Sequence, residues 1–158
     1  HLNAKLFGKE AVPEVLWVVE EIQKLNMPHA FLEKEMKFSF FGQMISGTPD
    51  WYNVDEAKNE VTIIDYKTGA LTDEKSLKYN AQVLIYAFGI KKLNSLPDDS
   101  IFKLMLFAID ERRIVEKVLT GKEVSESAYE LWSKIYQLNQ VRTKHCSHCN
   151  FQSYCQEK

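Results

Sequence analysis

The stretch Glu60-Val61-Thr62-Ile63-Ile64-Asp65-Tyr66-Lys67-Thr68-Gly69 decides how the chain is read. Its β-branched run predicts a strand over 60–67, and Thr68-Gly69 breaks it. Side chains alternate along a strand, so Asp65 and Lys67 share one face and Tyr66 points to the other. A carboxylate and an ammonium at the end of an apolar strand are costly to bury unless something compensates them. A divalent cation is the natural candidate. A second carboxylate, Asp50, stands at the end of the preceding extended run. If the two runs pair as a hairpin, Asp50 and Asp65 converge. With a strand carbonyl and waters they make an oxygen-rich site of the kind Mg²⁺ or Mn²⁺ prefers. Taken alone, an Asp-x-Lys is more often a solvated edge pair, and Asp50 a turn residue after Pro49.

Outward from that strand, the pattern predicts a helix over 11–26, with Val12, Leu16, Val19 and Ile22 at helical spacing and Pro13 in its first turn. Extended runs follow over 31–41 and 42–54. The polar stretch 55–59 fits a hairpin loop before the strand at 60–67. Asp73 is a candidate N-cap for a helix over 74–92. Ser100–Ile109 is almost unbroken apolar sequence and reads as a central strand covered on both faces. Asp110-Glu111-Arg112 reads as a turn, Ile114–Leu119 as a partner strand, and Val124–Val141 as the last helix. The order α, β, β, β, α, β, β, α predicts one α/β domain over 1–144 with a mixed sheet flanked by helices. A Cys-bearing tail over 145–158 is expected to pack on it.

The length of 158 residues suits one domain, and 45% apolar with 27% charged residues is an ordinary globular composition. Twenty basic against 22 acidic residues give a net charge of -2, which excludes holding nucleic acid by bulk positive charge. No run is long and apolar enough for a membrane span, and no signal peptide is visible, so a cytoplasmic protein is expected. The chain starts at His1 rather than Met, so a processed or partial chain is expected.

Gly47-Thr48-Pro49-Asp50 followed by Ile63-Ile64-Asp65-Tyr66-Lys67-Thr68-Gly69 resembles the PD-(D/E)XK nuclease superfamily. The likeness is to its RecB-like exonuclease branch, and it runs over roughly residues 31–155. The helix at 74–92 carries Tyr79-x-x-Gln82-x-x-x-Tyr86, similar to that branch's helix motif. The resemblance implies a restriction-endonuclease-like core in αβββαβ order. It implies that Asp50 and Asp65, with the Tyr66 carbonyl, hold the metal, and that Lys67 sits beside the attacking water. Gln82 and Tyr86, four apart on one helical face, would turn toward the metal and the nucleic-acid backbone; helix packing is their plain alternative. Glu35 matches an acidic position of the branch, though the charged run Glu33-Lys34-Glu35 is equally a solvated strand. His1 matches the branch's metal-binding His, with His29 as competitor.

All three cysteines lie in Cys146-x2-Cys149-x5-Cys155. Two physical readings exist: a zinc site completed by His145 or His148, or a [4Fe–4S] cluster short of one thiolate. Free cysteines are the bland alternative. Iron–sulfur RecB-like nucleases, AddB-type and CRISPR-adaptation, share this spacing. The resemblance therefore implies a cluster in the intact protein, its fourth Cys upstream of His1.

The leading expectation is a Mg²⁺- or Mn²⁺-dependent deoxyribonuclease, an exonuclease on DNA single strands or duplex ends. DNA repair, phage replication or CRISPR adaptation would be its setting, and a helicase or CRISPR-adaptation protein its partner. A non-catalytic nucleic-acid-binding or assembly module with the same fold is the alternative. A zinc-stabilised interaction module is a weaker one. Trp51 and Tyr52 are candidate base-stacking residues, with packing the competing role.

Overall fold

The computed structural model describes residues 13–27 and 30–139, the side chains of 73–79 and 137–139 excepted. Its elements are α1 (Pro13–Leu25), β1 (Phe31–Leu32), β2 (Met36–Phe40), β3 (Gln43–Gly47), β4 (Trp51–Asp55), β5 (Glu60–Lys67), α2 (Asp73–Leu93), β6 (Ile101–Ala108), β7 (Arg113–Thr120) and α3 (Gly121–Asn139). Five strands form one mixed sheet in the order β1-β4-β5-β6-β7, and β2-β3 make a separate ribbon. Among the described residues only β5 and β6 run parallel, with Ile63 opposite Leu104 and Asp65 opposite Leu106. The crossover between them is α2, as a parallel pair requires.

The pleat sorts the β5 side chains between two cores. Val61 and Ile63 pack with Phe102, Leu104 and Leu106 against Val83, Ala87 and Ile90 of α2. Ile64, with Met105 and Phe107, faces Trp17, Val18, Ile22 and Leu25 of α1. β5 and β6 are covered on both sides, which is why their sequences read as near-continuous apolar runs. The mixed α/β sheet flanked by helices expected from the sequence is the fold observed.

The two extended runs before β5 divide differently from expectation. Each splits in two, so five strands stand where three were expected. The chain leaves the main sheet after β1 through Glu33, whose φ is +45°, and forms the β2-β3 ribbon. That ribbon turns at Phe41-Gly42, both with positive φ (+48° and +87°), the pairing of dihedrals that matches the twist of a two-residue hairpin. A phenylalanine there is unusual. Its ring is held by stacking on Phe88 (5.5 Å) and Trp132 (5.9 Å).

The inward stripe of α1 is rotated from the expected one. Trp17, Val18, Ile22 and Leu25 face the sheet, and Leu16 is exposed. The last helix starts three residues earlier than expected, because Thr120 and Glu123 form a reciprocal cap. The Thr120 N–H donates to Glu123 Oε2 (2.7 Å), and the Glu123 N–H donates to Thr120 Oγ1 (3.2 Å). Thr-x-x-Glu is the sequence signal for that cap. The expected tail at 145–158, and the domain's ends at 1–12 and 140–144, lie outside the described residues.

The ribbon lies on α2 where Gly89 leaves room for it. A Cβ on Gly89 would stand 2.4 Å from Phe38 Cε1. Replacing Gly89 by Ala adds helix propensity worth about 1 kcal/mol but forces the ribbon off the helix, an overpacking cost of about 1–3 kcal/mol. The variant should unfold at a lower urea midpoint than the parent; an equal or higher midpoint would show that the approach is not tight.

Candidate active site

The C-terminal end of β5 sets the site. Asp65 and Lys67 project to the α2 face, and Tyr66 projects to the α1 face, where its ring meets Phe107 edge-on at 6.0 Å. Asp65 is 2% exposed. Its carboxylate Oδ2 is ion-paired with Lys67 Nζ. Lys67 Nζ donates to Gln82 Oε1 (3.1 Å), and Gln82 Nε2 donates to the Tyr86 hydroxyl (2.9 Å). Strand and helix are thereby joined by a continuous polar chain, Asp65–Lys67–Gln82–Tyr86.

Asp50 enters from the neighbouring strand. The β4-β5 ladder ends at Trp51 opposite Ile64, because Pro49 lies just before and has no N–H to offer. The Asp50 side chain takes over: its Oδ2 accepts the Tyr66 N–H at 2.6 Å. That bond fixes the Asp50 carboxylate alongside Asp65. Burial pushes the Asp65 carboxyl above its ordinary range, opposed by the Lys67 ammonium and reinforced by the Asp50 charge. Burial and the same Asp50 charge push the Tyr66 phenol up.

The structure thus brings Asp50, Asp65, Lys67, Gln82 and Tyr86 together. It does not bring Glu35 to them. Glu35 precedes the β2-β3 ribbon, is exposed, and pairs with Lys37 at 3.4 Å. No three His, Cys, Asp or Glu side chains cluster for a metal among the described residues. His1, His29, His145, His148, Cys146, Cys149, Cys155 and the Tyr79 side chain lie outside those residues. Trp51 and Tyr52 are packing residues, Trp51 against the α1-side cluster and Tyr52 within the α2-side core. Two hard carboxylates side by side, one of them buried, are the donor chemistry that Mg²⁺ or Mn²⁺ takes. The residues fit such an ion.

Two supports were not read from the sequence. The turn between β6 and β7 grips the segment after Lys67. The Gly69 N–H donates to Asp110 Oδ2 (2.8 Å), the Leu71 N–H to Glu111 Oε1 (2.6 Å), and the Ile109 N–H to the Lys67 carbonyl (3.0 Å). Gly69 has φ +77°, which suits glycine at that bend. These ties join segments about forty residues apart, so no local signal announces them. The second support is Gly47, where a Cβ would stand 2.7 Å from Tyr86 Cε1. A glycine inside a strand is a known sign of close approach, and here it admits the ring that carries Gln82.

The family model of the PD-(D/E)XK nuclease superfamily matches residues 2–156. No curated protein matches the chain. Among solved structures, the chain is similar to the protein SSO0001 at 19% identity, over 92% of this chain and 69% of that one, with a TM-score of 0.40. It is similar to a provisionally named exonuclease from Eubacterium rectale at 15% identity, over 87% of this chain and 57% of that one, with a TM-score of 0.49.

Two outcomes follow from the geometry. Gly47→Ala should cost about 1–3 kcal/mol by overpacking, and the cost should largely vanish in a Tyr86→Ala background; equal costs in both backgrounds, by urea unfolding, would sever the proposed contact. Asp65 has a folded-state pKa above its unfolded one, so in the window above 3.8 the folded state binds more protons. Wild type should therefore lose stability relative to Asp65→Asn as pH rises through that window in EDTA. A gap that stays constant with pH, or closes, would contradict the burial of the charge.

Proposed function

The chain belongs to the PD-(D/E)XK nuclease superfamily, and on that premise we propose that it is a metal-dependent deoxyribonuclease of RecB-like type, an exonuclease on single strands or duplex ends. The observation that carries this reading is the meeting of Asp50, Asp65 and Lys67 at one sheet end, with Lys67 tied to Gln82 and through it to Tyr86.

Hydrolysis of a phosphodiester needs a nucleophile and neutralisation of charge on the phosphate. Asp50, Asp65 and the Tyr66 carbonyl would hold Mg²⁺ or Mn²⁺, which when bound lowers the pKa of water and screens phosphate oxygens. Asp65 orients its oxygens without solvent competition because it is buried. Asp50 keeps its position through the Tyr66 N–H. Lys67 places a positive charge where the attacking water and the phosphate meet. Gln82 Oε1 accepts a hydrogen bond from the Lys67 ammonium and so aims it. Tyr86 steadies Gln82 and leaves its own hydroxyl proton to donate.

Cys146, Cys149 and Cys155 would supply three thiolates to a [4Fe–4S] cluster, with zinc the competing occupant; iron, zinc and acid-labile sulfide in anaerobically prepared protein tell them apart. A helicase or CRISPR-adaptation protein is the proposed partner class.

End-labelled single-stranded and duplex DNA, incubated with the protein in Mg²⁺ or Mn²⁺, tests the activity. Cleavage should disappear in EDTA, and Lys67→Ala should lower kcat by about 100-fold or more, the size typical for loss of one electrostatic stabiliser. Activity that persists in EDTA, or that the substitution leaves intact, would remove these residues from the reaction.

A further inference from the structure

The edge of the main sheet next to Asp50 carries an exposed aromatic ring with a cation on it. Phe31 of β1 is opposite Tyr52 of β4, and Leu32 is opposite Trp51. Residues directly opposite in an antiparallel pair share a face. Tyr52 is in turn opposite Ile63, two residues before Asp65. Phe31 therefore lies on the same sheet face as Asp65 and Lys67. Strand spacing and rise put it about 12 Å from Asp65.

This edge is tied to the site's backbone as well as to its sheet. The Glu33 N–H donates to the Asp50 carbonyl at 3.0 Å. The Phe31 ring stacks on Tyr52, with centroids 4.9 Å apart and planes at 29°. Tyr52 is buried, whereas Phe31 is 40% exposed. Lys34 Nζ sits 4.1 Å from the Phe31 ring centroid. The result is a backed aromatic ring with an ammonium over it, on the sheet face that carries Asp65.

We propose that Phe31, backed by Tyr52, is a stacking platform for a nucleobase of single-stranded DNA a few nucleotides from the scissile bond, with Lys34 taking an adjacent phosphate. The proposal rests on the nuclease reading above. An aromatic face accepts any base without hydrogen-bond readout, so it grips a strand without choosing a sequence. In the free protein the Lys34 ammonium occupies the ring by cation–π attraction. A phosphate offers the ammonium a full counter-charge, and its departure opens the ring face to the base. Of its acidic neighbours, Glu35 is paired with Lys37. A stacked strand advances about 3.4 Å per nucleotide, so about 12 Å spans a few nucleotides. The platform serves an unpaired strand, because bases within a duplex present no free face.

The test is DNA binding by the full chain in EDTA, where no cleavage intrudes, read by anisotropy of labelled oligothymidylate. Phe31→Leu keeps an apolar side chain and removes the ring; it should weaken binding about 5- to 150-fold, and Phe31→Trp should restore it. Abasic substitution at one position of the oligonucleotide should weaken wild type by a similar factor and leave Phe31→Leu unaffected. Lys34→Ala should lower the salt slope of binding by about one phosphate contact. Tyr129→Ala, an exposed aromatic on α3, should bind as wild type does. If wild type binds and cuts DNA but Phe31→Leu binds equally well, or no abasic position is coupled to Phe31, the platform is wrong and the nuclease reading stands. If wild type neither binds nor cuts DNA, both fall.

Discussion

One carboxylate charge has to be housed on an apolar sheet face, and the surroundings of Asp65 are organised by that need. A buried ion without compensation costs several kcal/mol, and burial raises the Asp65 carboxyl even with the Lys67 ammonium against it. A buried carboxylate in contact with the Lys67 ammonium, a second carboxylate fixed beside it, and a helix amide on the same ammonium make a site whose negative charge a cation would balance. This is the pattern expected where stability is given up for function.

The scaffold holds that strained group from three directions. β4 supplies Asp50 through a side chain that substitutes for a lost ladder bond. α2 supplies Gln82 and Tyr86, one turn apart, and the absence of a side chain on Gly47 lets the ring come in. The turn between β6 and β7 supplies Asp110 and Glu111, which fix the bend after Lys67 by its backbone N–H groups. None of these contacts is on a long loop. Asp65 and Lys67 stand on β5 and Gln82 and Tyr86 on α2, and Asp50 lies immediately before β4, so regular elements hold their geometry more closely than loops would.

Local signals carried much of this into the sequence. The β-branched run at 60–67 fixed its own strand, and the two-residue pleat then put Asp65 and Lys67 together without any tertiary information. Asp50 needed one assumption, that its run pairs with the next strand. The ribbon was hidden because residues 31–47 are β-prone throughout; what divides them is backbone, the positive φ of Glu33 and the Phe41-Gly42 turn, and glutamate and phenylalanine do not announce it. The stripe of α1 was misread because Trp17 and Val18 compete with Leu16 and Val19 for one face, and only the sheet decides. Thr120-x-x-Glu123 carries a cap signal that the expectation of a helix from Val124 leaves unused. The Asp110 and Glu111 ties depend on contacts across the fold, and no window of sequence contains them.

The central claim is that Asp50 and Asp65 act as one cation centre. Titration of Mn²⁺ into the chain, followed by the loss of the free-ion electron paramagnetic resonance signal, measures this without reference to activity. One ion should bind per chain at the site, and Asp50→Asn and Asp65→Asn should each abolish that binding, while Gln82→Ala, which removes the contacts to Lys67 and Tyr86 and neither carboxylate, should retain it. Undiminished Mn²⁺ uptake by both carboxylate variants would contradict the claim.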